Sequence, residues 1–191
     1  MIQEMVSETV SKKLFTVDEF YRLSEVGLLP DDRRFELIRG EIIEMPIPGS
    51  PHSGSIIHFT RILTRRLPDS TLVSVQNPLS IDRLSLPIPD LAVLRARPDS
   101  YKESHPTPAD VLLVVEVSHT TVSYDKNIKT PLYAEAGVPE YWQLDVNRGV
   151  LVVRTDPQDG EYRNTRTLER GQTVSPILLP DVTFSIDELL G

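Results

Sequence analysis

The sequence has no cysteine, and this absence excludes two kinds of structure. A chain of 191 residues without cysteine can form neither a disulfide framework nor a thiolate metal site. It also has no apolar run close to the roughly 18 residues that a membrane-spanning helix needs. Its first residues lack the basic-then-apolar layout of a signal peptide. We therefore expect a cytoplasmic protein that has no membrane segment.

Positive charge is scarce as well. The chain has 20 Lys and Arg against 28 Asp and Glu, which gives a formal net charge of −8. A net negative charge repels a polyanion at long range. Contact with a nucleic acid would therefore need a local basic patch or metal ions.

Flexible linkers are also missing from the sequence. Glycine contributes 9 residues and proline 16, and hydrophobic residues make up 39% of the chain. This composition is enough for one sizeable core, and no repeat or low-complexity segment divides the chain. Residues 1–14 are polar and aperiodic. We expect a frayed N-terminus over residues 1–14 and a single domain over residues 15–191.

Two carboxylates stand in apolar segments that the pattern predicts to be buried strands. Residues 89–94 and 111–117 are short runs rich in β-branched residues, and they carry Asp90 and Glu116. Burying a lone carboxylate is costly. The two acids therefore need a common partner that offsets the loss of hydration, and a divalent cation is the simplest one. Asp90 and Glu116 are the candidate metal ligands.

A third acid lies on the first strand of a predicted hairpin. Residues 34–38 and 41–45 flank Arg39-Gly40, which indicates a tight turn with glycine at a positive φ. Glu36 lies on the first of these strands. It is either a third acid directed at the site or an exposed strand residue.

A histidine lies in the first turn of the next predicted helix. Ser50-Pro51 indicates a helix start, and the helix should extend to Leu67. The N-terminus of a helix disfavours the imidazolium form of His52. His52 is therefore either a metal ligand, a water-orienting group or a phosphate contact, or else a structural histidine.

The best basic patch in the sequence lies on the same helix. Arg61 and Arg65 are four residues apart and share a face, with Arg66 beside them. These arginines are the candidate nucleic-acid contacts. The alternative is an ordinary solvated helix face.

A lysine lies on a further predicted helix after the second acidic strand. Asp125, Lys129 and Tyr133 are spaced by four and should line one face. Pro131 should kink this helix or restart it at Thr130. Lys129 either acts on a substrate or is a surface cation paired with Asp125.

Six motifs, taken in order over residues 15–190, resemble the Uma family, whose members are described as restriction endonucleases of the PD-(D/E)XK nuclease superfamily. Each motif alone is weak, but their order is specific. The motifs are Phe35-Glu36-Leu37-Ile38-Arg39-Gly40-Glu41, Pro51-His52, Pro89-Asp90-Leu91, Val115-Glu116-Val117, Tyr124-Asp125 with Lys129, and Gly137-Val138-Pro139-Glu140-Tyr141-Trp142.

The resemblance implies a fold and a set of roles. The fold would be mixed α/β (α+β), with a restriction-endonuclease-like mixed central sheet flanked by helices and with extra antiparallel hairpins. Asp90 and Glu116 would hold Mg²⁺ or Mn²⁺, and the backbone carbonyl of Val117 would be another oxygen ligand. Lys129 would orient the attacking water or stabilise the pentacovalent transition state.

The sequence departs from the implied pattern at two positions. The standard superfamily motif has its lysine two residues after the second acid, where this chain has Ser118. The family places the lysine on the following helix, and Lys129 matches that position better than Lys126. Arg39 replaces the acidic residue that usually precedes the hairpin glycine.

The first functional hypothesis is a Mg²⁺- or Mn²⁺-dependent DNA endonuclease that cleaves phosphodiesters by direct attack of activated water. Its catalytic residues would be Asp90, Glu116, Lys129, Glu36 and His52. One alternative is a catalytically inert nuclease-fold module that binds DNA or protein, which the acidic charge balance favours. Another is a phosphohydrolase of small nucleotides. Many superfamily nucleases pair two sites, and we expect a homodimer.

Overall fold

The structure is a computed structural model that describes residues 11–119 and 122–191. The chain forms two compact units, one within Met1–Ile47 and Ile81–Pro87, the other within Pro48–Ser80 and Ile88–Gly191. Most of the frayed segment expected over residues 1–14 lies outside the described residues. The single domain expected over residues 15–191 stays a prediction.

The first unit contains a helix and a hairpin. Helix α1 spans Val17–Glu25, and strands β1 (Arg34–Ile38) and β2 (Glu41–Met45) pair antiparallel. Arg39 and Gly40 both have positive φ values, 51° and 78°, as the two central residues of a type I′ turn require. A Cβ at Gly40 would also lie 2.5 Å from Leu14 Cβ, so this position requires glycine.

The second unit is built on a six-stranded mixed sheet. Its strands follow one another in the order β3-β4-β5-β6-β7-β8, and neighbours are antiparallel except β5 and β6, which are parallel. This mixed sheet confirms the predicted fold class. The strands are β3 (Thr71–Val75), β4 (Leu91–Arg95), β5 (Val111–Ser118), β6 (Glu140–Asp145), β7 (Val150–Gln158) and β8 (Glu161–Leu168). Strands β9 (Thr173–Val174) and β10 (Phe184–Ser185) form a separate ribbon.

The helices of the second unit cover the sheet or connect its strands. The helices are α2 (Ser50–Arg66), α3 (Val122–Tyr124), α4 (Thr130–Glu135) and α5 (Ile186–Leu190), with a 3₁₀ turn at Pro108–Asp110 and a π-helical turn at Asp125–Lys129. Helix α2 ends one residue before the predicted Leu67. No helix in the described part of the chain is both long and apolar enough to cross a lipid bilayer.

Strand β5 is one of the two central strands of the sheet, and every one of its residues is buried. Its β-branched and leucine side chains point to both faces, which is typical of a strand covered on both sides. Val115 and Val117 belong to the core formed with α2 and α5. Because side chains alternate along a strand, Glu116 and Ser118 point to the opposite face. The strand therefore places Glu116 and Ser118 on one face, while Val115 and Val117 pack into the core on the other.

Candidate active site

Asp90 and Glu116 are neighbours across the ladder between β4 and β5. Leu91 pairs with Val115 in antiparallel register, so Asp90, which precedes β4, comes opposite Glu116. The Asp90 backbone N–H donates a hydrogen bond of 3.3 Å to Glu116 Oε2. Asp90 is 6% exposed and Glu116 2% exposed. The structure thus brings the two predicted carboxylates together, almost out of solvent.

Three groups hold the Asp90 carboxylate. The Val117 backbone N–H donates to Oδ2 at 2.9 Å, His52 Nε2 lies 3.1 Å from the same oxygen, and Gln76 Nε2 donates to Oδ1 at 3.3 Å. Burial is the largest effect on the pKa of Asp90 and raises it. The His52 contact, the charge of Lys129 and the Val117 hydrogen bond together outweigh burial and lower that pKa below its ordinary value. Asp90 is therefore an ionised carboxylate at neutral pH.

Two donors converge on one oxygen of Glu116. Lys129 Nζ donates to Oε1 at 3.0 Å, and the Tyr133 hydroxyl donates to the same atom at 2.9 Å. Lys129 is 2% exposed, so the alternative of a surface cation does not describe it. The lysine is a buried charge whose partner is a candidate metal ligand.

The direction of Lys129 follows from an interruption of its helix. Pro131 has no backbone N–H, and in a regular α-helix its ring would collide with the carbonyl of Asn127. The helix widens here into the π turn Asp125–Lys129, and regular α-helix resumes as α4 at Thr130. The interruption predicted at Pro131 is therefore confirmed. Its form places Lys129 and Tyr133 on the same side, facing Glu116.

Gln76 is a site residue that sequence reasoning missed. Its backbone N–H donates to the Asp90 carbonyl at 3.1 Å and its side chain to the Asp90 carboxylate. Its φ is 51°, a left-handed conformation that costs energy for a residue other than glycine. The sequence pattern predicts only that Gln76 ends a strand. It contains no local signal for a positive φ or for a contact with a distant acid.

His52 lies at the site with one ring nitrogen engaged. A carboxylate can only accept, so Nε2 carries the proton in its contact with Asp90. Nδ1 is buried and has no hydrogen-bond partner among the described residues. The imidazole therefore contacts a candidate metal ligand directly. The functional role of His52 stays a prediction.

The three arginines lie at a distance from the carboxylates. Arg61, Arg65 and Arg66 are exposed on the second half of α2. Arg65 is thirteen positions after His52, about 20 Å along a helix that rises about 1.5 Å per residue. Arg66 donates to the Thr183 carbonyl at 2.6 Å. The patch can contact only a ligand that extends well beyond the acidic site.

Glu36 belongs to the first unit, on β1. It is 1% exposed, so the alternative of an exposed strand glutamate is wrong. Its predicted role as a third acid stays a prediction.

The donor set at the two carboxylates suits a hard cation. Within residues 11–119 and 122–191, no group of three or more His, Cys, Asp or Glu side chains is arranged to hold a metal. Magnesium, however, is commonly bound by one or two carboxylates together with waters and substrate phosphates. Asp90 and Glu116 fit that pattern, and the Val117 backbone adjoins both acids. The Val117 carbonyl as a further ligand stays a prediction.

The fold is similar to that of a crystal structure from Anabaena variabilis. That protein is described as a "putative nuclease belonging to DUF820"; the two structures share 18% sequence identity and a TM-score of 0.71, over 92% of this chain and 97% of the other. At this identity the likeness shows the fold alone. The fold therefore defines a mixed α/β protein built on a six-stranded central sheet.

A family model confirms the resemblance found in the sequence. The model, described as "Uma2: Putative restriction endonuclease", matches residues 17–187. The chain belongs to this family. No curated protein matches the chain.

Proposed function

We propose that the protein is a metal-dependent DNA endonuclease that hydrolyses phosphodiester bonds. The observation that carries the proposal is the buried cluster of Asp90, Glu116 and Lys129, in which two carboxylates adjoin and Lys129 Nζ lies 3.0 Å from Glu116 Oε1. Membership of the Uma2 family supports a nuclease. Phosphodiesters are anionic and repel hydroxide, so their hydrolysis requires positive charge next to acids that can hold a cation.

The carboxylates are the proposed metal ligands. Mg²⁺ or Mn²⁺ held by Asp90, Glu116 and the Val117 carbonyl would neutralise phosphate charge and acidify water. The chain prepares Asp90 for this role. The His52 contact, the charge of Lys129 and the Val117 N–H outweigh burial and lower the pKa of Asp90, which favours the ionised form that metal ligation needs.

Lys129 supplies the fixed positive charge of the site. In a nearly dry environment an ammonium group interacts with developing negative charge more strongly than it would in water. Lys129 would orient the attacking water or stabilise the pentacovalent transition state. Tyr133 donates to the same Glu116 oxygen, which limits how far that carboxylate can rotate.

His52 and Glu36 complete the proposal. His52 would orient the Asp90 carboxylate or a water beside it, since its Nε2 lies 3.1 Å from Asp90 Oδ2. Glu36 would add a third acid. Replacement of Glu36 by glutamine tests its role separately, because its strand belongs to the other compact unit.

A plasmid-nicking assay with Mg²⁺ or Mn²⁺ tests the proposal. Wild type should nick supercoiled DNA, and Asp90→Ala and Lys129→Ala should abolish the activity. Lys126→Ala is the matched control, because Lys126 lies on the same π turn but is exposed. Metal-independent nicking, or undiminished activity of the Asp90 and Lys129 variants, would contradict the proposal.

Calorimetric titration of Mn²⁺ separates the enzyme from an inert binding module. The endonuclease predicts binding that Asp90→Ala and Glu116→Gln remove. Turnover of a small nucleotide ester that exceeds turnover of plasmid would instead indicate a phosphohydrolase. We also propose a homodimer, and a monomer mass in light scattering at micromolar protein would contradict it.

A further inference from the structure

Ser118 stands where the standard superfamily motif has its lysine, and its side chain has a specific contact. Ser118 is fully buried, and its hydroxyl donates to Asp125 Oδ2 at 2.7 Å. The hydroxyl oxygen accepts from Gln143 Nε2 at 2.9 Å. The serine therefore links the end of β5 to the start of the π turn.

Asp125 is held by its backbone as well as by its side chain. It is the first residue of the π turn and is 3% exposed. Its carbonyl accepts from the Thr130 backbone N–H and from Thr130 Oγ1, the latter at 2.9 Å. Contacts at both ends of the residue fix its position relative to β5 and to the start of α4.

The contact between Ser118 and Asp125 ends a chain of hydrogen bonds across three strands. Arg154 on β7 donates to Gln143 Oε1 at 3.1 Å, Gln143 on β6 donates to Ser118, and Ser118 donates to Asp125. All three hydrogen bonds in this series have the same direction, from the buried Arg154 towards the buried Asp125. Hydrogen bonds aligned in this way strengthen one another, so the anchor of Asp125 is rigid.

The π turn needs such an anchor because its geometry is intrinsically unfavourable. π-helical turns are rare and occur mostly as single turns inside α-helices. Loss of the extra residue of the turn would rotate the following residues by about 100°, the angle between successive residues of an α-helix. Lys129 closes this turn, so the direction of its ammonium group depends on the turn being kept.

We propose that Asp125, anchored by Ser118, is the positioning residue that keeps Lys129 directed at Glu116. Ser118, at the usual lysine position, would then act on the same chemistry indirectly. It would hold the π turn in place, and the π turn would direct Lys129 at Glu116. The effect on cleavage rests on the proposed endonuclease function. The effect on the geometry of Lys129 does not.

The test combines a structural and a kinetic measurement on the full chain. Ser118→Ala, Asp125→Ala and Asp125→Asn are compared with Val174→Ala, a buried-core control on β9. Crystal structures of the variants give the separation of Lys129 Nζ and Glu116 Oε1. Plasmid nicking gives kcat and KM, corrected for the folded fraction. Ser118→Ala removes only one oxygen atom. It therefore tests the same anchor if Asp125→Ala does not fold.

We expect Ser118→Ala and Asp125→Ala to break the contact between Lys129 and Glu116 and to lower kcat about 10- to 100-fold, as misplacement by about 1 Å commonly does. KM for DNA should stay within about twofold, since the proposed DNA contacts lie elsewhere. Asp125→Asn, which keeps an acceptor for Ser118, should recover part of kcat. Val174→Ala should keep the wild-type kcat.

Two results would overturn the inference. One is an unchanged contact between Lys129 and Glu116 in the Ser118→Ala and Asp125→Ala structures. The other is a loss of kcat no greater than that of Val174→Ala at equal thermal stability. If wild type cleaves no DNA, the proposed function fails, and the structural measurement alone decides the positioning role.

Discussion

Lys129 Nζ donates a hydrogen bond to Glu116 Oε1 in an ion pair whose two side chains are 3% and 2% exposed. Such a pair gains little net stability, because removing both charges from water costs about as much as their attraction returns. Deleting one partner is different, since it leaves the other charge buried and uncompensated. The pair therefore makes the proposed function and the stability depend on the same two residues.

The first prediction follows from this pairing. Lys129→Met should lower the free energy of unfolding by about 3–5 kcal/mol. The double variant Lys129→Met with Glu116→Gln should lose less than the sum of the two single changes. Urea unfolding in EDTA measures all three. Lys126→Met, on an exposed residue of the same turn, should stay within about 0.5 kcal/mol of wild type, and additive losses would contradict the prediction.

The second prediction concerns the strained residue beside Asp90. Asparagine tolerates a positive φ better than glutamine, but its shorter side chain cannot reach the Asp90 carboxylate as Gln76 does. Gln76→Asn should therefore keep or raise the melting temperature while lowering kcat. Activity and stability that fall together would show that Gln76 is only structural. Gln158→Asn, an exposed change at the end of β7, is the control.

The third prediction is a pH dependence of stability. The pKa of Asp90 is lowered in the folded state by His52, Lys129 and the Val117 N–H, against the opposing effect of burial. Its ionised contacts therefore stabilise the fold fully above the unfolded pKa of about 3.9, and this contribution disappears as pH falls through the lower folded pKa. The stability difference between wild type and Asp90→Asn should shrink below about pH 4.

Urea unfolding in EDTA at a series of pH values from 7 downward measures this difference. A gap between wild type and Asp90→Asn that widens on acidification would give the opposite sign and contradict the assignment. Asp181→Asn, at an exposed aspartate of the same compact unit, controls for general effects of charge.

The fourth prediction tests the arginine patch. Arg61→Ala and Arg65→Ala should weaken DNA binding similarly for all DNA sequences. Each should reduce the slope of log K against log salt concentration by about one unit. Fluorescence anisotropy in the Lys129→Ala background avoids cleavage during the titration. Arg163→Ala, an exposed arginine on β8, is the control. Equal losses in all three variants would indicate a general charge effect instead.

The parts of the site that sequence reasoning could predict are those with a local signal. Asp90 and Glu116 interrupt apolar strands, so their burial and their need for a partner are visible in the chain. Lys129 is readable from helical spacing together with the family pattern. Pro131 predicts a break in the helix, although it does not predict that the break is a π turn.

The remaining features depend on contacts between distant segments. Gln76 combines a left-handed conformation with a hydrogen bond to Asp90, fourteen residues later in the chain, and its sequence neighbours indicate neither. In the sequence pattern Ser118 is an ordinary strand residue, and its contact with Asp125 is known only from the structure. Glu36 alternates with apolar residues, yet it is buried, because strand alternation gives the face of a side chain and not what covers that face.

The parallel pairing of β5 and β6 has a consequence for how this chain can change. Parallel neighbours cannot be joined by a tight turn and need a crossover of a dozen or more residues. Residues 119–139 provide that crossover, and they also carry Lys129 and Tyr133. A deletion that removes the segment carrying Lys129 would therefore also remove the connection between β5 and β6. Loss of the proposed activity should therefore arise by point substitution, because the segment that carries Lys129 cannot be deleted while the fold is kept.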